Sequence, residues 1–393
     1  MNSIEKMNKY VMPTYGRYQI SLQSGKDENA VDETEIQYID FGSGIGTNSL
    51  GFCNENWVNA VCSQAQKLQH TSNYYYTAVQ GDFAEKLCQK TGFVNAFFGN
   101  SGAEANECAI KIARKYSFDK YGADANRNTI ITLENSFHGR TLTTLSATGQ
   151  DVFHNYFFPF TPGFKHTPPN NLMKFEESLD DTVCAIMIEF IQGEGGVLDL
   201  DENFVKAIFD ICAERDILII ADEVQTGVMR TGKFLAAEYY GVKPDITTLA
   251  KGIAGGLPMG VCLAGEKCKS VLGKSDHGST FGGNPICCAA GNAVLDTVCA
   301  DGFEAEVLRK GELFRKLLSE IPEVESISGK GLMIGIKFKS LSASEIAAKC
   351  HENGLLVLTA KDKLRFLPPL TVTDDEIKTG IEILKKCIGG QNS

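Results

Sequence analysis

Five short apolar runs, rich in β-branched side chains, recur between residues 94 and 281. They are VNAFFGN (94–100), NTIITLENS (128–136), TVCAIMIEF (182–190), ILIIADEV (217–224) and DITTLAK (245–251). Helix-patterned stretches such as EANECAIKIARKYSF and ENFVKAIFDICAERD separate them. A strand that is apolar at nearly every position must be covered on both faces, and strands joined through helices can run the same way. The pattern therefore predicts an α/β fold: a mostly parallel central sheet flanked by helices.

The texture changes after residue 285. A long helical stretch, NPICCAAGNAVLDTVCADGFEAEVLRKGELFRKLLSEI, leads into LMIGIKFK, SASEIAAKCHENG, LLVLTA, KLRFLPPL and a closing helix, TDDEIKTGIEILKKCI. This reads as a compact α+β unit. The strand-like YQISLQSG and TEIQYIDFGSG near the start are expected to pack with it. A chain of 393 residues is long enough to divide. The expected division is an N-terminal segment at 1–50, a large domain at 51–285 and a small domain at 286–393.

Charge and composition exclude several classes. A net charge of −11 argues against nucleic-acid binding, which relies on basic side chains to neutralise phosphates. No apolar run reaches membrane-spanning length. The thirteen cysteines are scattered without a C-x-x-C, the usage of a reducing compartment, and MNSIEKMNKY has no apolar signal core. A cytoplasmic protein is expected. The six histidines lack metal-ligand spacing, so no catalytic metal is expected.

Ligands of open parallel sheets sit beyond the carboxyl ends of the strands, and here those ends carry unusual residues. GNSGAEANECAIKIARK (99–115) is a glycine turn opening a helix. Ser101 and Glu104 alone suggest a capping box. With the small Gly102 and Ala103, the same turn leaves first-turn N–H groups open to a phosphate. DFGSGIGTNSLG (40–51) alternates glycines but gives no G-x-G-x-x-G frame, which argues against a dinucleotide site. Asp222 ends an apolar run, where a carboxylate needs a strong partner; a structural ion pair would serve, and so would a cofactor's cationic pyridine nitrogen. Lys251 ends the next run, before the glycine-rich GIAGG. A lone lysine there would be read as snorkelling to solvent. Together with a phosphate cradle and a ring-nitrogen acid on neighbouring strand ends, it reads as a desolvated amine that forms a covalent link to pyridoxal phosphate.

The stretch IIADEVQTGVMRTGKF…PDITTLAKGIAGGLPMG, with NSGAEANECAIKIAR, FHGRT, IQGEGGV, STFGGNP and LRFLPPL, resembles the class III aminotransferases, pyridoxal-phosphate enzymes of fold type I. The resemblance covers nearly the whole chain. It implies that Lys251 carries the cofactor, Asp222 holds its ring nitrogen, Val224 and Phe137 cover the two ring faces, and Gln225 reaches the ring hydroxyl. Ser101, Gly102 and Ala103 would bind the phosphate; Thr280, helped by Ser279, would bind the phosphate of a neighbouring subunit in a homodimer with shared active sites. Arg140 would hold a substrate's distal carboxylate. Arg365 would take the α-carboxylate of glutamate, and Glu194 would pair with it when the amino donor has no carboxylate at that end. Tyr15, in TYGR, matches a substrate-contacting tyrosine. Ile45 stands where ornithine-using members carry a tyrosine.

Within the family the resemblance is strongest to members that pass the terminal amine of N2-acetyl-L-ornithine to 2-oxoglutarate in arginine biosynthesis. Two features depart from the family pattern: Phe190 replaces a proline in EFIQGE, and Phe52, Asn54 and Glu55 replace a histidine-rich turn. The rival expectations are another class III activity (succinylornithine, 4-aminobutyrate, ornithine or succinyl-diaminopimelate as donor) and a non-catalytic dimeric binding protein.

Overall fold

The computed structural model describes residues 1–389. Its centre is a seven-stranded sheet built from β1 (Asn95–Gly99), β2 (Thr129–Leu133), β3 (Phe164–Thr167), β4 (Val183–Ile188), β5 (Leu218–Asp222), β6 (Ile246–Leu249) and β7 (Gly260–Ala264). The spatial order is β1-β7-β6-β5-β4-β2-β3. Every neighbouring pair is parallel except those made by β7, which runs antiparallel to both β6 and β1. Strands β2, β4, β5, β6 and β7 are buried at every position, as cover on both faces requires. The sequence reading anticipated β1, β2, β4, β5 and β6. It missed β3 and β7, whose short runs lie among loop residues.

Helices Gly102–Tyr121 and Glu202–Arg215 pack against this sheet, the first along β6 and β7 and the second along β5. The N-terminal strands Leu22–Lys26, Asn29–Asp32 and Gln37–Asp40 form a second sheet, completed by Leu355–Leu356 from far along the chain. A third sheet contains Val324–Ser328, Ile334–Phe338, Lys363–Phe366 and Leu358–Ala360. LLVLTA, expected as one strand, is thus shared between two sheets. Phe41 joins these parts, sitting edge-on to both Phe314 and Phe366 with ring centroids 5.2 Å away in each case.

The stretch expected as one long helix after residue 285 is two, Pro285–Val298 and Phe303–Ser319, bent by 75°. Gly302 caps the second at φ +81°, a conformation that costs glycine little and other residues much. No single helix among the described residues is long and apolar enough to cross a membrane.

Candidate active site

A cavity of about 410 Å³ opens at the carboxyl ends of β1, β5 and β6. Its wall includes Ser101, Gly102, Ala103, Phe137, Arg140, Glu194, Asp222, Val224, Gln225 and Lys251. These residues are spread over 151 positions of sequence, and the sheet brings them to one edge.

The first corner is the start of the Gly102–Tyr121 helix. Ser101 is the N-cap, its Oγ accepting from Glu104 N–H. The expected capping box does not close. Glu104 reaches one residue further back and accepts from Asn100, through the backbone N–H at 2.5 Å and through Nδ2 at 3.0 Å. The first-turn N–H groups of Gly102 and Ala103 are among those a helix cannot satisfy internally, and the dipole concentrates positive potential there. Gly102 also permits a close approach: a Cβ on it would lie 2.8 Å from Val224 Cγ1.

The second corner is Asp222, buried at the last position of β5. Its Oδ1 accepts from Val224 N–H at 3.0 Å. Its Oδ2 accepts from Asn106 Nδ2 at 2.8 Å and from His138 Nδ1, also at 2.8 Å. His138 therefore carries its proton on Nδ1, since an ionised carboxylate can only accept. Its Nε2 is buried without a partner among the described residues.

The third corner is Lys251, two residues past β6. Its φ of +47° is left-handed, a costly conformation for a side chain with a Cβ and of the kind found at functional sites. Burial lowers its ammonium below the ordinary lysine range. The carboxylates of Glu194, Asp222 and Glu189 work against this and Arg365 with it, and the net shift is downward.

Arg365, on the Lys363–Phe366 strand, is buried. Its Nη1 donates to Glu194 Oε1 at 2.7 Å and to Gln225 Oε1 at 3.2 Å. Burial raises the Glu194 carboxyl, but Arg365, Lys251 and Gln225 together lower it by more, leaving it below the usual glutamate range. Gly193, before Glu194, has no room for a side chain, because a Cβ would lie 2.4 Å from the Gln225 amide. Arg140 is exposed, its guanidinium 4.2 Å from the Phe153 ring centroid and 5.4 Å from that of Phe137.

The remaining sequence candidates lie elsewhere. Ser279 and Thr280 line a separate cavity of about 720 Å³, tied to the first by Asn100 Nδ2 donating to Ser279 Oγ at 3.0 Å. Tyr15 is 74 % exposed, with its ring beside Arg17, in a stretch without helix or strand. Ile45 is also exposed, in a left-handed turn next to Thr47, which does line the cavity.

Sequence reasoning gave no role to Asn106 or Glu189. Glu189 is buried and accepts from Phe137 N–H at 3.0 Å and Gly193 N–H at 3.3 Å. Burial raises its carboxyl to about 7, with Asp222 adding to the rise and His138 opposing it. Neither residue carries a local signal. Asn106 lies in the body of a helix, and Glu189 continues an apolar strand. Among the described residues no cluster of three or more metal-ligating side chains occurs.

Comparison with known proteins assigns the chain to a family. Residues 10–388 match the family described as aminotransferase class III. The acetylornithine aminotransferase of Haemophilus ducreyi is 49 % identical over 381 residues, 96 % of each chain. That of Caldanaerobacter subterraneus is equally similar over the same shares. Among solved structures, the ornithine aminotransferase of Toxoplasma gondii superposes with a TM-score of 0.93 at 32 % identity, covering 99 % of this chain and 94 % of that one. The acetylornithine aminotransferase of Elizabethkingia anophelis gives 0.86 at 33 %, covering 98 % of each.

The family's cofactor is pyridoxal 5′-phosphate, and the cavity suits a flat, phosphorylated, cationic ring. It offers an anion seat at a helix start, a buried carboxylate, and a lysine that ion-pairs with none of the surrounding acids among the described residues. By the family match across residues 10–388, the relatives at 49 % identity and the shared fold, the chain belongs to the class III aminotransferases, as a pyridoxal-phosphate-dependent transaminase.

Proposed function

We propose that the enzyme transfers the terminal amino group of N2-acetyl-L-ornithine to 2-oxoglutarate, giving N-acetylglutamate 5-semialdehyde and glutamate, as a step of arginine biosynthesis. The observation that carries this reading is the Arg365–Glu194 pair, closed at 2.7 Å, together with Arg140 in the cavity wall, which ion-pairs with no carboxylate among the described residues. One pocket must accept a donor with a carboxylate at one end only, and then an acceptor with carboxylates at both. A fixed arginine and a maskable one meet that need, because guanidinium grips carboxylate bidentately.

Bound pyridoxal phosphate supplies an electrophilic carbonyl and an electron sink for the carbon bearing the amine. The chain's own residues do the rest. Ser101, Gly102 and Ala103 hold the phosphate, Asp222 keeps the ring nitrogen cationic, Phe137 and Val224 enclose the ring, and Gln225 meets its hydroxyl. Lys251, its amine made less basic by burial, takes the proton from the substrate's terminal carbon and returns it on the other side of the transfer. Arg140 holds the distal carboxylate. Arg365 is masked by Glu194 for acetylornithine and released for glutamate and 2-oxoglutarate.

Thr280 and Ser279 serve the phosphate of a second subunit in a homodimer, consistent with their place in a separate cavity. Tyr15 and Ile45, neither of which lines the wall, are retained as substrate contacts on the family resemblance alone. The division at residues 50 and 285 and a cytoplasmic location complete the proposal.

A panel of amino donors tests it. Acetylornithine is expected to exceed 4-aminobutyrate and free ornithine in kcat/KM by at least about tenfold, a difference of about 1.4 kcal/mol. The similarity to ornithine aminotransferases makes free ornithine the second reading, and a reversed ranking would select it. Lys251→Ala is expected to lose the lysine-linked visible absorption and at least about 100-fold in turnover. Full turnover without added amine would refute the role of Lys251.

A further inference from the structure

We propose that Asn106 is a positioning residue: its side-chain amide holds the Asp222 carboxylate in the orientation that meets the cofactor's ring nitrogen, and ties it to the helix that seats the phosphate. This rests on the role given above to Asp222.

Asn106 sits in the body of the Gly102–Tyr121 helix, 1 % exposed. Asparagine is a poor helix former, and its amide is costly to bury unless every polar atom finds a partner. Here they do. Nδ2 donates to His138 O at 2.7 Å and to Asp222 Oδ2 at 2.8 Å. Oδ1 accepts from Thr248 Oγ1 at 2.7 Å. The direction of the amide is fixed by chemistry, because the atoms facing Nδ2 are a carbonyl and a carboxylate oxygen, which only accept. Thr248 is the register partner of Asp222 across β5 and β6 and is itself buried.

One amide therefore joins four pieces of chain: the helix, the loop after β2, the end of β5 and the end of β6. Gly102 and Asn106 belong to the same helix, four residues or about 6 Å apart along its axis. A rigid helix thus sets the spacing between the phosphate seat and the acid. Removing Asn106 leaves Oδ2 with His138 alone and lets the carboxylate turn toward it.

The test compares Asn106→Ala, Thr248→Val, the double variant and Asp222→Asn with the parent holoenzyme. Kinetics are read with both substrates, cofactor affinity by titrating the cofactor-free protein, and folding by its melting curve. Asn106→Ala is expected to lower kcat about 10- to 100-fold, the range of a lost hydrogen bond to a charged group. KM for either substrate should stay within about threefold, cofactor affinity should fall about tenfold, and the pH dependence of the bound cofactor's absorption should shift. Thr248→Val should move kcat the same way by less. The double variant should be no worse than Asn106→Ala, because both act on one amide.

A folded Asn106→Ala protein with parent kcat and cofactor affinity would overturn the proposal. So would Thr248→Val at parent kcat, or a double variant whose losses add in full. Full turnover in Asp222→Asn would instead refute the role of Asp222 itself.

Discussion

Arg365 shows how the surroundings of a residue decide its chemistry. In sequence it is a cation before FLPPL, and only the resemblance to a family suggests a carboxylate clamp. In the structure it is buried, with Glu194 and Gln225 on the same nitrogen. A buried guanidinium without its carboxylate is costly, so Glu194 stabilises the resting site, and under the proposed function it would also mask the clamp. Glu194→Gln removes the competing charge. We expect the ratio of kcat/KM for glutamate to that for acetylornithine to rise about tenfold, as befits one charge-assisted hydrogen bond, measured in the two half-reactions separately. An unchanged ratio would mean that Glu194 does not compete with substrate. Lys251 and Asp222 were legible because a charge closing an apolar run is anomalous. Asn106 and Glu189 were not, since each acts on partners 116 and 52 residues away along the chain.

Among the elements, the helix starting at Gly102 is decisive. Its N-cap and small first-turn residues were readable from sequence. The tight packing of Gly102 on Val224 was not. Gly102→Ala has ordinary helical backbone geometry, so its strain falls on Val224, which lines the ring's expected position. Cofactor affinity is expected to weaken about tenfold, for about 1.4 kcal/mol of overpacking, while the helix stays intact by circular dichroism. Parent affinity would show that Val224 yields freely. The elements misread from sequence share one cause. A 3.6-residue apolar period continues across Cys299–Gly302, and only the chain's turn at Gly302 breaks it into two helices. LLVLTA is apolar throughout, and nothing local says that its two halves pair with different sheets.

For the whole molecule, two consequences follow. Tyr74, Tyr75, Tyr76 and Phe281 are largely exposed, and Tyr74 shares the cavity of Ser279 and Thr280. Exposed aromatics gathered around a polar cavity mark an interface. The chain is therefore expected to sediment as a dimer, and Phe281→Glu to shift it toward monomer with loss of activity; a fully active monomer would refute the shared-site proposal.

The second consequence concerns pH. Burial raises Glu223 to about 7 from 4.5, against its hydrogen bonds from Thr226 and Ala237. The folded state then holds a proton that the unfolded state releases between about pH 4.5 and 7. Stability attributable to this group falls as pH rises through that window and is level above it. Glu189 contributes in the same direction. Glu223→Gln should flatten the decline in melting temperature between pH 5 and 7.5, and an unaltered slope would exclude Glu223 as its source.

The sequence by itself determined the layered α/β architecture, because apolar runs of strand length can be satisfied only by burial on both faces. It also singled out Lys251 and Asp222 at the strand ends, because a lysine or aspartate there has no cheap structural excuse. Tertiary structure alone decided how those groups are held: which donors grip Asp222, that Arg365 rests on Glu194, and that β7 enters antiparallel between β1 and β6. Periodicity records which face of an element is buried. It does not record which distant element buries it, and orientation at this site is set by those distant partners.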